Sequence, residues 1–204
     1  MDFVDLLVPL RIMGGPCRIK QKEDSSWKTG PTCTDNFQQV SFQFKEKEYQ
    51  SCEQAYQAHK YRVGSETHEK ISCMAPFAWE NDVAYGTRCW KAGQLGNSSD
   101  SRDDWNTVKV RIMYEVNLAK YQQHPEMVKD LCTTDSWYIT GALSTGWTVA
   151  GESYTWSDWN GLIQMRIREE LRAREDRAYT SSVLEGLITK FEKYELSTAH
   201  DGQV

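Results

Sequence analysis

Apolar and polar residues alternate from Val40 through Phe42 to Phe44, the period of a half-buried strand. Lys45-Glu46-Lys47 predicts a turn and Glu48-Tyr49 a returning strand, so a small antiparallel hairpin is expected. A helix should follow at Ser51, where Ser51-Cys52-Glu53-Gln54 fits a capping box, and run to Arg62 before Gly64. From Thr107 to Gln123 the rhythm changes to three and four: Val108, Ile112, Val116 and Ala119 form one stripe, widened by Met113, and His124-Pro125 ends it. A third helix is predicted over Asp158–Arg174, with Leu162 and Met165 inward. A fourth is predicted over Ser181–Tyr194, with Val183, Leu184, Leu187, Ile188 and Phe191 on a packing face.

Gly14 to Gly30 reads as loop or irregular edge structure, and Met1 to Leu10 as a packed strand or helix. These patterns predict one mainly helical α+β domain over residues 31–196. Residues 1–30 form an extension packed on it, and 197–204 a polar, mobile tail.

The chain has 204 residues, enough for one substantial core, and no apolar run of the roughly 20 residues a membrane helix needs. A formal net charge of −5 argues against gripping nucleic acid by its backbone, but leaves room for a local pocket that reads one modified nucleotide. The six cysteines lie far apart without C-x-x-C or Cys/His spacing, so no metal site is expected; reduced thiols fit the cytoplasm or nucleus. Asn97-Ser98-Ser99 is a glycosylation sequon that no secretory signal supports. The eight tryptophans exceed ordinary use, and flat rings are what a sugar or base would stack on.

On the Ser51 helix, Glu53, Tyr56, Gln57 and Lys60 fall at i, i+3, i+4 and i+7, on one face. A carboxylate, a phenol, an amide and an amine do not make a core stripe. Either the face is open to water, or it lines a cleft in which Lys60 stands about 10 Å along the axis from Glu53.

Asp35-Asn36-Phe37, the hairpin ending in Tyr49, Ser51 to Lys60, Gly86-Thr87-Arg88, Asp104-Trp105, Lys109 with Met113, Lys120-Tyr121, His124-Pro125-Glu126, Leu131 to Thr134 and Gly161 to Arg168 follow one another in the order of the NADAR, or YbiA-like, family, which this chain resembles over most of its length. The resemblance implies a YbiA-like α+β fold and an N-glycosidase that needs no cofactor. Some members act on riboflavin-pathway intermediates; others remove ADP-ribose from guanine. The implied ligand is an ADP-ribose-type nucleotide, or ADP-ribosylated nucleic acid held locally.

By the same resemblance, Glu53 is the carboxylate beside the sugar cation and Lys60 an amine that either attacks the anomeric carbon or contacts a phosphate. Asn36 would hold ribose hydroxyls, with Phe37, Tyr56 and Gln57 beside it. Arg88 would take a phosphate or form a structural salt bridge, and Trp105 would stack on a ring or pack in the core. The family pattern lapses after Thr134: Ser144-Thr145-Gly146-Trp147-Thr148 lacks the aspartate before, and the glycine after, the tryptophan. Trp147 is its counterpart. Asp158 occupies the place of a family asparagine, and Glu152 or Asp158 is the expected substitute for the missing carboxylate.

Overall fold

A computed structural model describes residues 14–21, 23, 26–175 and 181–199. The expectations for Met1 to Leu10 and for the last residues of the tail lie outside the described residues.

Within the stretch expected as loop or irregular edge structure lie two short strands, β1 (Arg18–Lys20) and β2 (Lys28–Thr29). With β5 (Tyr138–Thr140) they form an antiparallel sheet of order β2-β1-β5, Ile19 lying opposite Lys28 and Ile139. The expected hairpin is β3 (Phe42–Phe44) and β4 (Lys47–Tyr49), Phe42 facing Tyr49. Its return strand starts at Lys47, earlier than expected, because Lys45 takes a φ of 52° and the chain reverses in two residues. A second hairpin, β6 (Gly146–Val149) and β7 (Glu152–Thr155), turns through Ala150 and Gly151, at φ 51° and 76°. Two left-handed residues suit the strand twist, and the pattern did not expose them because neither Asn nor Asp marks the turn.

Helix α1 (Cys52–His59) is capped as expected: Ser51 Oγ accepts from the Gln54 amide at 3.1 Å. The Gln54 side chain reaches past the cap to accept from the Gln50 amide at 2.7 Å, and its nitrogen donates to the carbonyls of Ile71, Ser72 and Met74. The helix stops at His59 rather than Arg62 because the next backbone is claimed elsewhere. Tyr61 bridges Ser101, the Arg62 amide donates to Asp100 O and the Arg102 amide to Lys60 O.

The sequence pattern passes over helices α2 (Glu66–Ser72), α3 (Asp82–Leu95) and α5 (Pro125–Cys132); α5 does turn Met127, Val128 and Leu131 to the core, but its eight residues are too few to show the rhythm. Helix α4 (Trp105–Gln123) buries Val108, Ile112, Met113 and Val116 of the expected stripe, Ala119 being half-buried, and packs on α1, β3, α6 and α7, making it the axis of the domain.

Helix α6 (Trp156–Glu175) starts earlier than expected and turns Trp159, Ile163, Ile167 and Leu171 inward; Leu162 and Met165 only flank the core. Helix α7 (Ser182–Thr198) packs on α4 and α6 through Leu187, Phe191 and Tyr194, while Val183 is exposed. The expected mobile tail is corrected in part: Ser197 and Thr198 are helical, and Thr198 is buried, its carbonyl accepting from Thr107 Oγ1.

Gly161 lets α6 lie on β5. A Cβ there would stand 2.1 Å from the Ile139 carbonyl oxygen and 2.7 Å from Thr140 Cα, both backbone atoms that cannot rotate away. Alanine favours an isolated helix by about 1 kcal/mol, but here the clash decides. Gly161→Ala is expected to cost about 3 kcal/mol and lower Tm by roughly 6–12 °C, read by thermal unfolding. An unchanged Tm would contradict this packing.

Candidate active site

Every residue of α1 is buried, Glu53 to 6% and Gln57 to 3%, so its polar face is not open to water. It lines a cavity of about 340 Å³, the size of a small-molecule site. Beside the Glu53 carboxyl lies Asp35, and further along α1 the Lys60 amine. Helix α3 contributes Trp90 and Gln94, α4 Trp105, Lys109 and Met113, and α6 Trp156 and Asn160. The segment from Gly141 to Trp147 closes one wall.

Glu53 Oε1 accepts from Gln57 Nε2 at 2.7 Å. Burial pushes its carboxyl from an ordinary 4.5 up to about 7; the Gln57 hydrogen bond works against that rise, and the neighbouring Asp35 adds to it. Asp35 is itself raised by burial, while its Oδ1 accepts from the Phe37 amide at 2.8 Å. The carboxyls thus gather at one end of the cavity. At the other, Lys60 Nζ donates to Gly93 O at 2.9 Å, and burial lowers its pKa. Lys109 is pushed down to about 8 by burial and by the nearby Lys60. Gly93 must be glycine: a Cβ would meet Gln57 Oε1 at 1.9 Å and displace the side chain that holds Glu53.

Asn36 is fixed by a relay of amides. Its Nδ2 donates to Asn160 Oδ1 at 3.2 Å and its Oδ1 accepts from Asn117 Nδ2 at 3.0 Å. Asn117 Oδ1 accepts from Gln164, whose Oε1 accepts from Tyr121 OH. Such a chain sets which end of each amide is donor and which acceptor. The aromatic wall is equally continuous: the Tyr56 ring lies 5.0 Å from Trp105 and 5.2 Å from Trp156, and Trp156 lies 4.8 Å from Trp147.

Asn36, Phe37, Glu53, Tyr56, Gln57, Lys60, Trp105 and Trp147 therefore share one cavity. Arg88 does not join them. Its guanidinium pairs with Glu80 at 2.6 Å and donates to Ala75 O, so it is already satisfied as a structural ion pair. Asp158 is also outside: exposed in the first turn of α6, it accepts from Thr155 Oγ1 at 2.7 Å, and Asn160 enters the cavity in its place. Glu152 is exposed and bonded to Tyr154, so neither expected substitute supplies a carboxyl; Asp35 does.

Sequence reasoning did not single out Lys109, Trp90, Trp156 or Asn160 as site residues. A signal existed for Lys109: it sits within the apolar rhythm of α4, three residues before Ile112 and four before Met113. Among the described residues no group of three or more His, Cys, Asp or Glu side chains gathers in a way that could hold a metal ion.

The molecule is thus an α+β ligand-pocket protein whose cavity has an acidic end, a basic end and an aromatic wall. The NADAR domain family model matches residues 19–172, and the chain belongs to that family. It is 26% identical over 141 residues to N-glycosidase Npun_R5314 of Nostoc punctiforme, the match spanning 69% of this chain and 85% of the relative. Its fold is similar to the NMR structure of the E. coli protein YbiA, with a TM-score of 0.52 at 20% identity over 74% of this chain and 83% of that one.

Proposed function

We propose that this protein is an N-glycosidase that hydrolyses the bond between a ribose anomeric carbon and a nitrogen, removing ADP-ribose from ADP-ribosylated guanine in a nucleotide or nucleic acid. The observation that carries the reading is Glu53, a buried cavity carboxyl poised near pH 7. Kinship with a protein named as an N-glycosidase supports the bond class. The family resemblance supports the guanine adduct, and the aromatic wall suits a flat base.

The chemistry follows from the charge that develops. As the ribose–nitrogen bond breaks, its electrons leave with the nitrogen and positive charge builds on the anomeric carbon. Protonated Glu53 gives its proton to the departing nitrogen. The carboxylate that remains faces the sugar cation and stabilises it, then takes a proton from the water that adds to the carbon. The amide relay holds Asn36 ready for the ribose hydroxyls. Cytoplasm or nucleus is the compartment we propose, since all six thiols are unpaired.

The direct test incubates the protein with ADP-ribosylated guanine DNA and, separately, with phosphoribosyl-aminopyrimidine intermediates of riboflavin synthesis. Release of ADP-ribose from the first alone is expected. Cleavage of the second alone would move the activity to that substrate, and cleavage of neither would leave a ligand sensor. The pH profile gives a second check. Glu53 donates only while protonated, so the single-turnover rate should fall up to tenfold per pH unit above about pH 7. A flat profile from pH 6 to 9 would remove Glu53 as the acid.

A further inference from the structure

Helix α7 lies beyond residue 172, where the match to the NADAR family model ends, yet it reaches the cavity wall. The contact is Tyr194, only 3% exposed. Its hydroxyl accepts from Trp147 Nε1 at 3.2 Å and donates to Asn106 O at 2.6 Å. Burial holds the phenol above its ordinary range, so the proton given to Asn106 stays in place through neutral pH. One oxygen therefore ties the half-buried indole of the wall to the first turn of α4. Asn106 takes part twice. Its side-chain Oδ1 accepts from Lys109 Nζ at 3.1 Å, and that ammonium lies 4.4 Å from the centre of the Trp147 ring.

An indole has a single donor, and its flat ring can turn over about its own side-chain bond while filling much the same space. Ring packing does not choose between those orientations: Tyr154 stacks on Trp147 at 5.7 Å, and Trp156 lies 4.8 Å away. The hydrogen bond to Tyr194 does. The β6–β7 hairpin that carries Trp147 needs such a brace, because two antiparallel strands are marginal alone. Tyr194 is itself well held. Its ring meets those of Tyr154 and Trp159 edge-on at 5.1 Å, and α7 is pinned to α4 by the Thr107–Thr198 hydrogen bond and an Arg111–Glu195 ion pair at 3.6 Å.

We infer that Tyr194 is a positioning residue that fixes the Trp147 indole against the cavity, so that α7, outside the stretch the family model covers, sets how tightly the site holds its ligand. This rests on the reading of the cavity as the site of an N-riboside. Trp147 continues the aromatic surface of Trp156, Tyr56 and Trp105. An indole free to turn would offer a moving surface to a flat base, and binding would have to still it at a cost in affinity.

Tyr194→Phe keeps the ring and removes the hydroxyl. Thr107→Val is the control, since it cuts another hydrogen bond between α4 and α7 at a residue that does not line the cavity. By calorimetry, Tyr194→Phe should bind ADP-ribose at least tenfold more weakly than the wild type, and Thr107→Val within twofold of it. Solvent exchange of the Trp147 indole proton, its NMR signal assigned by loss in Trp147→Phe, should be at least tenfold faster in ligand-free Tyr194→Phe. Thermal transitions check that each variant is folded. Trp147→Phe removes the donor instead of the acceptor, so adding Tyr194→Phe to it should weaken binding by less than a further twofold. Unchanged affinity in Tyr194→Phe would overturn the inference, as would a full tenfold further loss in the double variant. An equal loss in Thr107→Val would also overturn it, by making α7 a matter of stability alone. A wild-type protein that binds ADP-ribose with this dependence yet cleaves no N-riboside would overturn the proposed activity and leave the role of Tyr194 standing. No binding of ADP-ribose by the wild type would overturn both.

Discussion

Replacing Glu53 with Gln should abolish turnover and, above pH 7, make the protein harder to melt. The activity loss is expected at a hundred- to ten-thousandfold, the usual contribution of a positioned acid–base group. The stability gain follows from proton linkage. The folded carboxyl titrates at about 7 and the unfolded one near its ordinary 4.5, so the folded state holds the proton more tightly. Its stabilising effect is fully present below 4.5 and is lost as pH rises through 7, because the folded state must then keep a buried carboxylate. That interval corresponds to roughly 3 kcal/mol. Glutamine has the same shape, can still meet Gln57 and never ionises. At pH 8 the variant should melt roughly 6–12 °C above the wild type, with the difference closing towards pH 4.5. A gap of either sign that ignores pH would show that Glu53 is not buried as described, and a variant retaining a tenth of the rate would remove it from the chemistry.

Arg168→Met should be among the most destabilising changes available, at about 3–5 kcal/mol. The guanidinium is only 2% exposed. Its Nη1 donates to Thr134 Oγ1 at 3.0 Å and to Trp137 O at 2.9 Å, and its Nε to Glu169 Oε1 at 3.1 Å. Methionine keeps the stem but leaves two acceptors without this donor and one buried carboxylate short of its nearest cation. The consequence extends to the cavity, because residues 134–137 lead into β5 and then the wall from Gly141 to Trp147. Ligand affinity should therefore fall together with the unfolding midpoint in urea. Removing Glu169 as well, as Arg168→Met with Glu169→Leu, should recover part of the loss, since the buried carboxylate that Arg168 faced goes with it. If the double variant is as unstable as the sum of the singles, the ion pair is not what holds this corner.

Local signals in the sequence determined the β3–β4 hairpin, the Ser51 cap, the axial helix α4 and a mainly helical α+β domain, because strand alternation, capping and three-four rhythm act between near neighbours in the chain. The same spacing put Glu53, Tyr56, Gln57 and Lys60 on one face of α1. It did not tell a wet surface from a cleft, since periodicity reports which residues share a face and not what the face meets. Only the packing of α3, α4, α6 and the wall from Gly141 to Trp147 around α1 decided that, and with it the raised carboxyl of Glu53. Tertiary structure also moved the site's membership. Arg88 went to Glu80 and Asp158 to the start of α6, while Asp35, Lys109 and Asn160 came in. Those exchanges join residues up to 124 positions apart, as Asn36 and Asn160 are. The physical reason is that burial and charge belong to a place in space, which folding creates from parts of the chain that no local rhythm connects.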